Sequence, residues 1–220
     1  AAPLRKSLTP LRLFCLPDTG TDLNVATHFY YYRGGHAERD AKRGAMGGNE
    51  EWKTYLEKVR PAMARQRSRM FVEAHLGDNI DDGGNGMVGL SDCDEHRLLP
   101  SSSSSSSGGG DPVYEIRRYN LVLGYDTVPR FLEYYKSGLP SKLATTDDST
   151  SLVTLLYSDV GRLNEVIEVW RHGDGTGAME RSRANARAAG EWRKAIGDIA
   201  ALSVSFENGI YKPAEFSPLR

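Results

Sequence analysis

The chain has 220 residues, of which 39% are hydrophobic, and 28 Lys+Arg against 29 Asp+Glu leave a formal net charge of -1. That length suits one large domain or two small ones, and the near-neutral charge argues against a general nucleic-acid or anionic-membrane surface, which needs a basic excess. The two cysteines, Cys15 and Cys93, belong to no CxxC pair, which argues against a disulfide framework or a Cys-based zinc site; no stretch approaches the roughly 18–20 apolar residues of a membrane span.

In chain order, Ala1 to Leu8 carries Arg5 and Lys6 and no acid, but no apolar signal-peptide core. It reads either as the remnant of a cleaved targeting sequence or as the place where the chain was cut. Leu11 to Leu16 is a strand followed by the turn Pro17-Asp18-Thr19-Gly20. Val25 to Tyr32 is a second strand, broken by Gly34-Gly35, and Ala37 to Ala64 is a helical region loosened at Gly47-Gly48. Arg69 to Ala74 is a further strand. Residues 76–112 hold Asp81-Asp82-Gly83-Gly84-Asn85-Gly86, the acidic Asp92-Cys93-Asp94-Glu95 and the run Ser101 to Ser107 with Gly108 to Gly110. Such composition predicts a linker between two units, 1–75 and 113–220.

The second unit opens with Val113 to Leu121, where β-formers alternate with charges as in a half-buried strand. Asp126 or Thr127 caps a helix, Pro129 suits its first turn, and Phe131, Leu132 and Tyr135 fall at helical spacing. Ser151 to Tyr157 and Glu165 to Trp170 are strands. Met179 to Leu202 is one Ala- and Arg-rich helix with the stripe Trp192, Ile196, Ile199, and Gly209 to Lys212 is the last strand. The order β-α-β-β-α-β is the ferredoxin-like unit, so the fold class is α+β.

The first unit repeats the latter part of that order. At a constant offset of 140 residues Leu23-Asn24 meets Leu163-Asn164, Tyr30 meets Trp170, Gly35 meets Gly175, Trp52 meets Trp192 and Phe71 meets Tyr211. This first copy lacks an opening strand and helix, because nothing before Leu11 reads as either. The expectation is an open sheet edge near Leu11 to Leu16: either an upstream segment was removed or another chain, a partner protein, completes the sheet.

Leu163-Asn164-Glu165-Val166-Ile167-Glu168-Val169-Trp170, the strand Val113 to Tyr119, Trp192, Asn208 and the closing Pro213-Ala214-Glu215-Phe216-Ser217-Pro218-Leu219 together resemble the NIPSNAP family. The resemblance covers Pro112 to Arg220 well and Leu11 to Ala74 more weakly, since Tyr30 replaces the strand-ending Trp and the Phe-Ser-Pro ending is missing. It implies a dimeric α+β barrel, here made by two units of one chain, and a mitochondrial setting. It supplies no agreed catalytic residues.

No His pair among His28, His36, His75, His96 and His172 has metal-ligand spacing. A His28–Glu168 pair across the barrel is either an acid/base or metal pair or a polar pair on the sheet face. Asn24 and Asn164 suit turns. Trp52 and Trp192 suit core packing, and Tyr30-Tyr31-Tyr32 suits sheet packing with Tyr31 on the opposite face. Gly173-Asp174-Gly175-Thr176-Gly177 lacks a P-loop's Lys-Ser/Thr and reads as a loop-to-helix junction. Arg181, Arg183, Arg187 and Arg193 read as a solvated or partner-facing helix surface. The expectation is therefore a non-catalytic accessory subunit of a mitochondrial protein assembly, with no catalytic, cofactor or metal residues assigned. The rival is a barrel-monooxygenase-like or haem-handling enzyme, with His28, Glu168 and Tyr30 as its candidates.

Overall fold

The computed structural model describes residues 2–77, 87–91 and 110–220. In the first half they form α1 (Ala2–Leu8), β1 (Leu11–Thr19), β2 (Thr27–Tyr30), α2 (Gly35–Gly48), α3 (Glu50–Val59) and β3 (Met70–Glu73). In the second half they form β4 (Val113–Leu121), α4 (Thr127–Leu143), β5 (Thr150–Val160), β6 (Glu165–His172), α5 (Gly175–Ala186), α6 (Gly190–Leu202) and β7 (Ser203–Pro213). The fold is α+β. All seven strands join one antiparallel sheet in the order β2-β1-β7-β4-β6-β5-β3.

The sheet curls into a half-barrel. Phe29 on β2 and Phe71 on β3, at its two ends, pack against the same apolar cluster of Leu13, Cys15, Tyr114, Ile116, Val153, Ile167, Val169 and Tyr211. A flat sheet of this strand number would hold its edges roughly 29 Å apart, six spacings of about 4.8 Å. The convex side of the second half carries the helices, over Tyr119, Leu121, Phe131, Tyr135, Leu139, Leu155, Trp170, Trp192 and Ile199.

Within β7-β4-β6-β5 the unit's first strand, β4, sits between its last and its third. The same arrangement in the other half would put a first strand between β3 and β2, the outermost strands of the sheet. The expectation of an open edge at Leu11 to Leu16 is thus corrected. β1 is paired on both sides, with β2 through Leu11–Cys15 and with β7 through Cys15–Thr19. The edges are open instead at β2 and β3, because β1 is the element that stitches the halves together.

Two other expectations change. Residues before Leu11 do form an element, α1. The predicted single helix from Met179 to Leu202 is two, α5 and α6. The N–H groups of Arg187, Ala188 and Ala189 bond carbonyls three residues back, a tightening typical of helix ends, and Ala189 is extended before α6 begins. Asn49 ends α2 and caps α3, its side chain accepting from the Trp52 N–H at 2.8 Å.

Some of the paired positions keep like places. Gly35 (φ 63°) and Gly175 (φ 70°) each enter a helix in the left-handed region, where glycine is unstrained. Asn164 is left-handed too (φ 58°), its amide donating to Val122 O at 2.8 Å, whereas Asn24 has no positive φ. The Ser/Gly run up to Gly109, Cys93 and His96 lie outside the described residues. Around it, Leu76, Met87 and Leu90 are buried against the sheet, and the Val88 and Gly89 N–H groups bond Leu152 O and Val153 O.

Candidate functional site

The densest polar grouping lies under the helices of the second half. Alternation puts Glu115, Arg117 and Tyr119 of β4 on the face toward the helices, with Glu168 and Trp170 of β6 beside them. These charges are not on a solvated face, as a half-buried strand would predict. The concave side of β4 is already filled by Tyr114 and Ile116, and the helices cover the convex side. Both faces are covered, so the charged residues are buried and must pair.

Glu168 is fully buried and accepts from Tyr119 Oη (2.9 Å), Tyr135 Oη (2.8 Å), Lys142 Nζ (3.4 Å) and Trp170 Nε1. Arg117 Nη1 stands at 3.5 Å. Glu115, also fully buried, accepts from Arg117 Nε (2.8 Å), Asn208 Nδ2 (2.8 Å) and Arg183 (2.5 Å), with His172 Nε2 at 3.2 Å. Lys142, from the last turn of α4, stands 3.5 Å from the Trp170 ring centroid and 4.5 Å from that of Trp192.

The electrostatics follow from this crowding. Burial opposes ionisation of both carboxyls. The hydrogen bond from His172 and the charge of Arg117 outweigh it at Glu115, and the charges of Arg117 and Lys142 outweigh it at Glu168, so both lie below the ordinary carboxylate range. Burial pulls the Lys142 ammonium down to about 7, partly offset by Glu168. Burial and the Glu168 charge push both tyrosines well up, so they stay donors. The donors converge on two carboxylates and fix the register of α4 and α5 on the sheet, the kind of specificity that buried charges can supply.

A smaller analogue sits in the first half. Arg5 of α1 lies 5.2 Å from the Trp52 ring centroid and 5.5 Å from that of Tyr55, and donates to Tyr30 Oη at 2.5 Å. Arg5 thus stands to Trp52 and Tyr30 as Lys142 stands to Trp192 and Trp170. The sequence agrees, with Pro3-Leu4-Arg5 beside Pro140-Ser141-Lys142. In this half no described helix matches the body of α4, and Val59 is only half-buried where its counterpart Ile199 is fully covered.

The structure does not bring His28, Tyr30 and Glu168 together. β2 and β6 are separated by β1, β7 and β4. His28 stacks on Phe14 (centroids 5.4 Å apart) and meets Tyr30 edge-on (5.2 Å), while Tyr30 is taken by Arg5. The enzyme reading therefore loses its residue set. Trp52 and Trp192 are buried core residues, Tyr31 packs in the concave cluster, and Gly175 opens α5. Arg183 reaches inward to Glu115, and Arg181 bonds Asp147 at 2.6 Å. Cys15 is buried and free, its thiol pushed up to about 12 by burial. Among the described residues no three His, Cys, Asp or Glu converge as a metal site, and no helix is long and apolar enough to cross a membrane.

Burial, and secondarily the Arg5 charge, lower His28 to about 4, and its Nδ1 has no hydrogen-bond partner. The unfolded chain binds a proton near 6.5 that the folded chain refuses until about 4, so this group's stability is present above pH 6.5 and lost as pH falls toward 4. At about 1.4 kcal/mol per unit the upper bound is about 3.5 kcal/mol. Urea unfolding at pH 7 and pH 4.5 should show His28→Phe losing less stability on acidification than the parent; an unchanged slope would refute the assignment.

The comparisons with known proteins agree with this architecture. The NIPSNAP family model matches residues 114–218. A NIPSNAP family protein of unknown function from Agrobacterium tumefaciens is 30% identical over 50% of this chain and 95% of its own, with a TM-score of 0.45. A NIPSNAP-like domain protein from Burkholderia xenovorans is 27% identical over 49% of this chain and 89% of its own, with a TM-score of 0.42. A putative monooxygenase from Lactobacillus acidophilus shares the fold over 96% of this chain and 85% of its own, with a TM-score of 0.52 at 9% identity. No curated protein matches the chain. The 30% identity over 95% of the Agrobacterium protein, together with the family match at residues 114–218, shows that this chain belongs to the NIPSNAP family.

Proposed function

We propose that the chain is a non-catalytic binding subunit of a mitochondrial protein assembly, and that a partner protein places one strand between β2 and β3. The observation that carries this reading is the sheet order, in which both free edges border the same concave apolar cluster. Unpaired strand edges are templates for another chain, and here one added strand would satisfy two of them. In this reading the first half is a partial copy of the second, supported by the shared left-handed glycines and the matched Arg5 and Lys142 cages. The mitochondrial setting is supported by the family resemblance; subcellular fractionation with protease protection tests it.

Amide hydrogen exchange tests the strand. In the isolated chain the β2 and β3 amides left unbonded by β1 and β5 should exchange fast, and in the native assembly they should be protected. Equal exchange in both preparations would overturn the reading.

A further inference from the structure

A third free edge lies on β7, away from β2 and β3. β4 pairs with β7 from Ser203 to Tyr211, but β1 reaches only Ile210 to Pro213. Gly20 closes on the next stretch so tightly that a Cβ there would stand 2.4 Å from Asn208 O. Among the described residues nothing pairs with the outer edge of residues 203–207. This edge is apolar: Val204 is 71% and Phe206 52% exposed. Val204 and Phe206 share one face by alternation, and Phe206 rests on the Tyr119 ring at 4.7 Å.

We infer that this edge pairs with the same edge of a second copy of the chain, antiparallel and centred on Ser205. The segment Ser203-Val204-Ser205-Phe206-Glu207 is self-complementary about that centre. Val204 of each copy faces Phe206 of the other, an aromatic–β-branched pair of the kind that stabilises sheets. Its one charge, Glu207, faces Ser203 of the other copy and never itself; a shift of the centre to Glu207 would oppose two carboxylates. A two-fold interface buries the same patch twice. The short edge predicts a concentration-dependent dimer rather than an obligate one. This inference is independent of the proposal for β2 and β3, because it uses a different edge.

The test is sedimentation of the full chain over a concentration series, beside Val204→Lys and, in a Cys93→Ser background, Ser205→Cys. The parent should shift from monomer to dimer. Val204→Lys, with an unchanged melting profile, should weaken dimerisation at least tenfold. Ser205→Cys should give an intermolecular disulfide under mild oxidation, since directly opposed strand residues lie within reach of such a bond. Three results would each overturn the inference: a parent monomeric at its highest attainable concentration, a dimer indifferent to Val204→Lys, or a dimer in which Ser205→Cys does not cross-link. Val204→Lys that fails to fold would be replaced by Ser205→Lys, which opposes two like charges on the two-fold axis, with the same expectation.

Discussion

Glu168→Leu should destabilise the fold by about 3–5 kcal/mol, the usual cost of removing one partner of a buried ion pair. The physical cause lies on both sides of the lost carboxylate. Lys142 would keep its buried position with only ring faces around it, and Tyr119, Tyr135 and Trp170 would each lose an acceptor. Orphaned buried donors carry the full desolvation penalty. Adding Lys142→Met should recover about 1–3 kcal/mol, because coupled neighbours are non-additive on that scale. Lys142→Met alone should cost much less, since Glu168 keeps Arg117 and its three neutral donors. Urea unfolding followed by tryptophan fluorescence measures all three variants. A Glu168→Leu cost below about 1 kcal/mol would mean that the network holds the helices far less than its geometry implies.

Gly138→Val should cost about 3 kcal/mol, at the upper end for overpacking. Gly138 lies where α4 crosses α6. A Cβ there would stand 2.5 Å from the Ala195 Cβ and 3.2 Å from Glu191 O and the Trp192 Cα. Two of those three atoms are backbone, so relief requires α6 to move, and α6 carries the buried Trp192 and Ile199. The gain in helix propensity over glycine, about 1 kcal/mol at most, cannot offset this. Thermal unfolding would show a lower Tm for Gly138→Val, with partial recovery on adding Ala195→Gly. A Tm equal to the parent's would contradict the close approach of the two helices.

Much of the architecture is legible from local pattern, and the failures are instructive. The strand alternations around Leu11, Val113, Glu165 and Gly209 and the stripe of Trp192 and Ile199 report elements directly, because periodicity records which side of an element meets the core. The same rule misleads for β4. Alternating Glu115, Arg117 and Tyr119 read as a solvated face, yet helices cover it. Partnerships across 53 positions, such as Glu115 with Glu168 through the shared Arg117, leave no local trace. The one sequence signal for the network was Lys142, a charged residue on the last turn of a helix whose neighbours Leu139 and Leu143 are apolar. The break between α5 and α6 is masked in the sequence because Ala and Arg favour helix on both sides of Gly190, and the local hydrogen-bond geometry at Arg187–Ala189 marks it.

By itself the sequence determined the α+β class, the four strands of the second half and the NIPSNAP resemblance. These are properties of short stretches and their spacing. Only the tertiary structure decided where the sheet is open. Strand order depends on pairings between residues as distant as Cys15 and Pro213 or Phe71 and Ser158, and no local pattern encodes those. It therefore moved the free edges from Leu11–Leu16 to β2 and β3, separated His28 and Tyr30 from Glu168, and turned an apparently exposed row of charges into a buried network.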